Sequence, residues 1–250
     1  MNRLTGDHLE KLYSKYNYKK YIHPDPLEFL YKYKDNADRE IVALIASSLA
    51  YGRVKQILKS VQTALDIIGP PLQYLNNPLY KMNLHFKDFK HRFTTGDELA
   101  QMLFCTGGVI KKHGSLQKCF AKGIKPQHNT VLCALEFFAN ELAEFSTTGY
   151  RSLIPDPQKG SACKRLNLML RWMTRKDKVD PGGWTCINKS KLIIPLDTHM
   201  HSIAIEHGLT GRKNANMRTA LEITNAFAQF SPNDPVKYDF ALTRPAIGGH

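Results

Sequence analysis

Apolar residues recur with the period of an α-helix along almost the whole chain. The clearest stripe consists of Val54, Ile57, Leu58, Val61, Leu65 and Ile68. This spacing predicts an amphipathic helix, and Gly69 followed by two prolines predicts its end. The preceding residues 38–50 are apolar nearly all round, which predicts a buried central helix.

Five further segments follow the same period. Leu99, Met102 and Ile110 mark a helix that we expect to begin at Thr95 or Asp97 and to end before Gly114. The other four predicted helices are residues 129–143, 160–175, 198–207 and 216–230. Alternating runs such as residues 191–194 are too few for a sheet. The sequence therefore predicts an all-α fold, taken as one domain over residues 1–250.

The charge of the chain favours an anionic partner. Lys and Arg number 35 against 22 Asp and Glu, a formal net charge of +13. Such a surplus favours nucleic acid through counterion release, with an acidic membrane or a nucleotide as open alternatives. The five cysteines form no C-x-x-C pair, which argues against a zinc site or a disulfide framework and suits the cytoplasm. Neither a signal peptide nor a membrane span is predicted.

One basic row lies on the predicted helix 160–175. At about 100° per residue, Lys164, Arg171 and Arg175 share the side opposite the apolar stripe. Such a row is usually a solvated face, but it is also the pattern of a surface that binds phosphate. Like charges and partial burial would lower the pKa of Lys164, and a neutral lysine can act as an amine nucleophile.

Asp197 precedes the predicted helix 198–207, directly after a run that Pro195 ends. Aspartate is a favoured N-cap, and the helix dipole would hold the carboxylate ionised, so capping and catalysis are compatible. His199 and His201 offer a metal site with Asp197 as an alternative. On a helix these histidines diverge by about 200°, so we expect no metal there.

Residues 192–204 (LIIPLDTHMHSIA), followed by Gly208 and Leu209, resemble the P-V-D-T-H-V…R-x-x-x-R-L-G-L segment of the helix-hairpin-helix DNA glycosylase superfamily. The resemblance implies a catalytic role for Asp197. Leu196 replaces the valine, and the following helix lacks its usual basic residue. The superfamily's L-P-G-V-G-x-x-T-A hairpin corresponds to residues 153–162, where prolines stand in place of glycines, so the implied hairpin is divergent.

The archaeal 8-oxoguanine glycosylases share such a divergent hairpin. Their Schiff-base lysine opens a helix about thirty residues before the aspartate, and residues 164–173 (KRLNLMLRWM) are similar in pattern and distance. This implies Lys164 as the nucleophile, with Lys159, Lys189 and Lys191 as alternatives. Most of the chain also resembles an uncharacterised bacterial family of about this length that is grouped with the superfamily, in blocks that include residues 37–42 (ADREIV), 48–54 (SLAYGRV) and 234–241 (DPVKYDFA).

The resemblance implies a two-lobed helical glycosylase with β-lyase activity on an oxidised purine, 8-oxoguanine foremost. It would act as a monomer on double-stranded DNA that carries a damaged base, without a cofactor. We expect Arg171 and Arg175 to hold phosphates. The candidates for contact with DNA or the base are Arg53, Tyr51, Trp172, Trp184 and His199, although core packing is favoured for Trp172. The alternatives are a non-catalytic nucleic-acid-binding protein and a metal-dependent hydrolase that uses Asp197, His199 and His201.

Overall fold

A computed structural model describes residues 4–147 and 152–247, whose regular secondary structure is almost entirely helical. The α-helices are α1 (Gly6–Tyr16), α2 (Asn36–Ser48), α3 (Val54–Ile68), α4 (Pro71–Tyr74), α5 (Leu79–His85), α6 (Gly96–His113), α7 (Leu116–Lys122), α8 (Leu132–Glu144), α9 (Lys164–Thr174), α10 (Thr198–Glu206), α11 (Met217–Ala228) and α12 (Asp239–Ile247). Short 3₁₀ helices are Lys19–Tyr21, Pro26–Lys32, Pro157–Lys159 and Lys189–Lys191. Strands β1 (Lys90–His91) and β2 (Thr94–Thr95) pair antiparallel. The prediction of an all-α fold is confirmed.

Local signals set the ends of α3 and α6 as predicted. Helix α3 ends at Ile68, and Gly69 turns the chain with a φ of 59°. Helix α6 begins with a capping box in which Thr95 accepts from the Glu98 amide and Glu98 accepts from the Thr95 amide. It ends at Gly114 in the left-handed conformation, which only glycine adopts readily.

Helix α2 is the predicted central helix, and it packs against α3, α4, α7 and α9. Its buried face includes one charged residue, Glu40. The Glu40 carboxylate accepts from the backbone amides of Leu116 and Gln117 at 2.8 and 3.0 Å and from the Trp184 indole at 3.0 Å. This carboxylate therefore fixes the start of α7 and the buried Trp184 to the middle of the core.

The helix predicted from residue 160 begins instead at Lys164, because the four residues before it are not helical. Gly160 has a φ of 77°, and Ser161 forms a β-bridge with Asn216. Cys163, which precedes the helix, is left-handed with a φ of 47°. That conformation is uncommon for a side-chain-bearing residue, and it makes Lys164 the first residue of α9.

The basic face predicted for the helix 160–175 is wrong at Arg171 and Arg175, which are buried in ion pairs. Arg171 pairs with Asp180 and Asp239, and Arg175 pairs with Asp177, Asp180 and Asp234. Burial alone would lower the pKa of Arg175, but the surrounding carboxylates outweigh it and raise that pKa. Both guanidinium groups join α9 to the loop after it and to the region of α12, so they cannot present a phosphate-binding surface.

The contacts between helices form two groups. Helices α5, α6, α7 and α8 pack on one another, whereas α12 packs against α1 and α10. Helix α2 packs against α7 of the first group and against α9, and Arg171 of α9 pairs with Asp239 of α12 in the second group. Within residues 4–147 and 152–247, no helix is both long enough and apolar enough to cross a membrane.

Candidate active site

Lys164 and Asp197 come together although 33 positions separate them. The Lys164 Nζ atom lies 2.9 Å from Oδ2 of Asp197. Both side chains are about one-third exposed, 32% for Lys164 and 31% for Asp197. The pair is therefore neither a sealed structural ion pair nor a fully solvated one, and a ligand can reach it.

The two carboxylate oxygens of Asp197 have separate partners. Oδ1 accepts from the Met200 amide at 2.8 Å and caps α10, while Oδ2 faces Lys164. Burial would raise the pKa of Asp197, but the Lys164 ammonium and the Met200 amide outweigh it and hold the pKa below its ordinary value. Capping thus keeps the carboxylate ionised and fixed, and leaves one oxygen available for chemistry.

The backbone on either side of the pair is anchored. The segment from Leu192 to Leu196 is buried, and the Ile194 amide donates to Thr224 Oγ1 at 3.0 Å. On the opposite side, the Met217 amide donates to the Gly160 carbonyl at 3.0 Å. Helix α11 therefore holds both the chain before α9 and the chain before α10, which brings the two helix starts side by side.

A cavity of about 280 Å³ lies beside the pair, and both Lys164 and Asp197 line it. Its apolar wall is formed by Ile57, Leu168, Trp172 and Phe240. A cavity of about 150 Å³ is enough to hold benzene, so this one admits a two-ring base. A second, wider groove of about 520 Å³ lies on the other side, where Tyr51, Gly52 and Arg165 join the same pair.

Several polar groups of the cavity have no partner. Trp172 Nε1, Arg244 Nε and His199 Nε2 are buried and lack a hydrogen-bond partner within the described part of the chain. A buried polar group without a partner is costly, which favours a polar ligand at this position. Asp239 also lines the cavity, with Oδ2 turned to Arg171.

Three of these cavity residues were missed by the sequence predictions. Asp239, Phe240 and Arg244 belong to α12, at the end of the chain, far in sequence from Lys164. A signal existed, since the block that spans residues 234–241 (DPVKYDFA) was one basis of the bacterial-family resemblance. It carried no assigned role because neither periodicity nor spacing links it to α9.

The other predicted contact residues fall in different places. Trp184 is buried against Glu40 and lies outside the cavity, so its predicted contact with DNA is wrong. Trp172 is fully buried, in agreement with the core packing that was favoured for it, and it also lines the cavity. Tyr51 lines the wider groove, and its hydroxyl donates to the His91 carbonyl at 2.9 Å. Arg53 is exposed just before α3.

The two histidines of the alternative metal site, His199 and His201, lie in different surroundings. His199 lines the cavity, whereas the His201 ring donates from Nε2 to the Arg212 carbonyl at 2.8 Å. Among the residues described, the group whose donor atoms all lie within 4.8 Å is instead His113, Cys119 and Glu141, in α6, α7 and α8. Around Asp197, the part of the chain that the structure describes brings no three such ligand atoms together.

The alternative lysines do not contact Asp197. Lys189 Nζ lies 3.7 Å from Asp234, and Lys191 donates to the Pro126 carbonyl at 3.2 Å. Lys159 is exposed in the 3₁₀ helix Pro157–Lys159. Lys164 is therefore the lysine that the fold places against the carboxylate.

Comparison with known proteins identifies a family. The profile of a family described as "protein of unknown function (DUF2400)" matches residues 25–248. The chain belongs to the DUF2400 family. The match includes α9, α10 and α12, and so every residue named above as lining the cavity. No curated protein and no solved structure matches this DUF2400 chain.

Proposed function

We propose that this DUF2400 protein is a base-excision DNA glycosylase with β-lyase activity on an oxidised purine, with 8-oxoguanine as the first candidate. The observation that carries the proposal is the 2.9 Å contact between Lys164 Nζ and Asp197 Oδ2 beside a cavity that admits one base. The resemblance of the segments around both residues to helix-hairpin-helix glycosylases supplies the reaction class.

The proposed reaction starts with the damaged nucleotide leaving the base stack and entering the cavity. As the glycosidic bond breaks, ionised Asp197 stabilises the positive charge that develops on the sugar. A proton passes from Lys164 through Asp197 to the departing base, and the neutral Nζ attacks C1′. A second Nζ proton then passes to O4′ as the C1′–O4′ bond breaks, which opens the sugar ring and leaves a protonated Schiff base between Nζ and C1′. This Schiff base allows loss of a C2′ proton, and β-elimination breaks the bond between C3′ and the phosphate oxygen, so that the phosphate leaves.

The unpaired groups of the cavity suit a base that carries both carbonyls and N–H groups. Trp172 Nε1 and Arg244 Nε are donors that a carbonyl oxygen would satisfy. The Asp239 carboxylate is an acceptor for an N–H of the base. His199 supplies a donor or an acceptor at Nε2, depending on its tautomer. An oxidised purine presents this mixture along its edge, which is why we favour it as substrate.

Double-stranded DNA is the proposed partner, and the net charge of +13 supports it. With Arg171 and Arg175 buried, the phosphates would meet exposed cations instead. Arg53 is one, next to the wider groove of Tyr51 and Gly52. We propose a monomer that needs no cofactor and works in the cytoplasm, which five free cysteines suit.

A panel of end-labelled duplexes, each with a single lesion, tests the proposal. We expect base release and strand cleavage on an oxidised purine, loss of both with Lys164→Gln, and retention of both with the control Lys159→Gln. Salt-sensitive DNA binding without base release on any lesion would contradict the glycosylase proposal and favour a non-catalytic nucleic-acid-binding protein. Activity that disappears on chelation, together with stoichiometric metal in the purified protein, would favour the hydrolase.

A further inference from the structure

A second groove, here called the N-terminal groove, adjoins the cavity. It is defined by Lys15, Tyr16, Tyr21, His23, Pro24, Arg244 and Pro245, and its volume is about 290 Å³. Pro24 and Arg244 also line the cavity beside Lys164 and Asp197. The two spaces are therefore neighbours that share a wall, and a polymer bound in one can continue into the other.

Two half-buried tyrosines form the aromatic part of this groove. The rings of Tyr16 and Tyr21 meet edge to face, with centroids 5.2 Å apart. Lys15 Nζ lies 5.0 Å from the centre of the Tyr16 ring, and Lys20 Nζ lies 5.0 Å from that of Tyr21. An aromatic surface flanked by flexible cations is the arrangement on which proteins stack the bases of single strands while holding their phosphates.

The charge of the groove is positive at its rim and compensated at its base. Lys15, Lys20 and His23 are exposed, and His23 is paired with Glu28 at 2.8 Å. Arg244 at the base is buried and pairs with Asp25, and its Nη1 donates to the Tyr21 carbonyl at 3.3 Å. The two lysines thus remain available to an external anion, while Arg244 holds the segment of Tyr21 against α12.

We propose that the N-terminal groove binds an unpaired nucleotide of single-stranded DNA, with its base stacked on Tyr16 or Tyr21 and its phosphate near Lys15 and Lys20. The inference rests on the proposed function, since it makes this nucleotide a neighbour of the one in the cavity. Opening the duplex to extrude a base leaves unpaired nucleotides nearby. Five of the seven lining residues precede residue 25 and so lie outside the segment that the family profile matches.

Binding of an undamaged, fluorescently labelled oligothymidylate tests this groove without requiring any excision activity. We expect the double variant Tyr16→Leu/Tyr21→Leu to bind roughly tenfold to a hundredfold more weakly than the wild type. The control Tyr80→Leu removes a tyrosine that is 75% exposed on α5, and we expect it to bind as the wild type does. Lys15→Gln should make the negative slope of log affinity against log salt shallower by about 0.7. The control Lys87→Gln changes an exposed lysine in the turn after α5 and should leave the slope unchanged.

Measurements of folding and of base excision distinguish failure of the groove proposal from misfolding and from failure of the proposed function. Circular dichroism establishes that the double variant is folded, and Lys15→Gln provides a second readout on an exposed side chain. Unchanged oligothymidylate affinity and an unchanged salt slope in both variants would overturn the proposal that the N-terminal groove binds single-stranded DNA, even if base excision is active. Weaker binding in the double variant, with Tyr80→Leu unaffected, supports the groove even if no lesion is excised, in which case the proposed function alone fails.

Discussion

Replacing Asp197 with asparagine separates its two roles, because they use different oxygens. The asparagine side-chain oxygen can still accept from the Met200 amide, as Oδ1 of Asp197 does at 2.8 Å. The negative charge facing Lys164 at 2.9 Å is lost. Asp197→Ala removes both contacts. The pair of variants therefore distinguishes the cap of α10 from the charge.

We expect the two variants to differ in the free energy of unfolding that they lose. Asparagine and aspartate are about equally good N-caps, and an ion pair that is about one-third exposed contributes at most about 1 kcal/mol. We expect Asp197→Asn to lower the free energy of unfolding by less than about 1 kcal/mol. Asp197→Ala loses about 1 kcal/mol more with the cap. Both should lower base excision by at least about 100-fold, the scale of one positioned charge at a developing cation.

Urea unfolding and single-turnover excision on one lesion-bearing duplex measure the two effects side by side. We expect stability to fall in the order wild type, Asp197→Asn, Asp197→Ala, while both variants excise the base at least about 100-fold more slowly and both still bind DNA. If Asp197→Asn retains near-wild-type excision, the carboxylate has no catalytic role and the cap is its function. If Asp197→Asn unfolds the protein, the assignment of one oxygen to the cap and one to Lys164 is wrong.

The remaining predictions concern stability. The pKa of Asp197 is held below its ordinary value of 3.8, so the stability difference between wild type and Asp197→Asn should be constant above about pH 5 and shrink as the pH falls through the lowered pKa; urea titrations at several pH values test this. Arg175→Met removes the buried guanidinium that Asp177, Asp180 and Asp234 share and should cost about 3–5 kcal/mol, against under about 0.5 kcal/mol for exposed Arg53→Met. A Cβ on Gly96 would lie 1.8 Å from the Phe86 carbonyl oxygen, so Gly96→Ala should cost at least about 2 kcal/mol in thermal or urea unfolding, while Gly211→Ala, with open space around it, should change little.

Helical period and local caps predicted seven of the twelve α-helices that the structure describes, but not α1, α4, α5, α7 or α12. Helix α3 and the start and end of α6 follow from apolar spacing, from the capping box at Thr95, and from Gly69 and Gly114. These signals lie within a few residues of the element that they define. The true start of α9 was missed because it depends on the β-bridge between Ser161 and Asn216, a contact between distant segments.

The burial of charged side chains could not be predicted from their spacing along the helix. Arg171 and Arg175 lie on one side of α9 as the helical period requires, but their burial depends on aspartates up to 68 positions away. The like-charge neighbourhood expected for Lys164 is therefore not formed, because those guanidinium groups are neutralised. Trp184 was misassigned in the same way, although Glu40, directly before the apolar run 41–46, signalled a buried partner.

The central claim is that Lys164 is an amine nucleophile paired with Asp197. Borohydride reduction during turnover converts a Schiff base into a stable bond between protein and DNA, and mass spectrometry of the digested adduct then identifies the lysine. The account predicts the remnant of the sugar on Lys164, and no adduct with Lys164→Gln. An adduct on Lys159, Lys189 or Lys191, or one that survives Lys164→Gln, would contradict it.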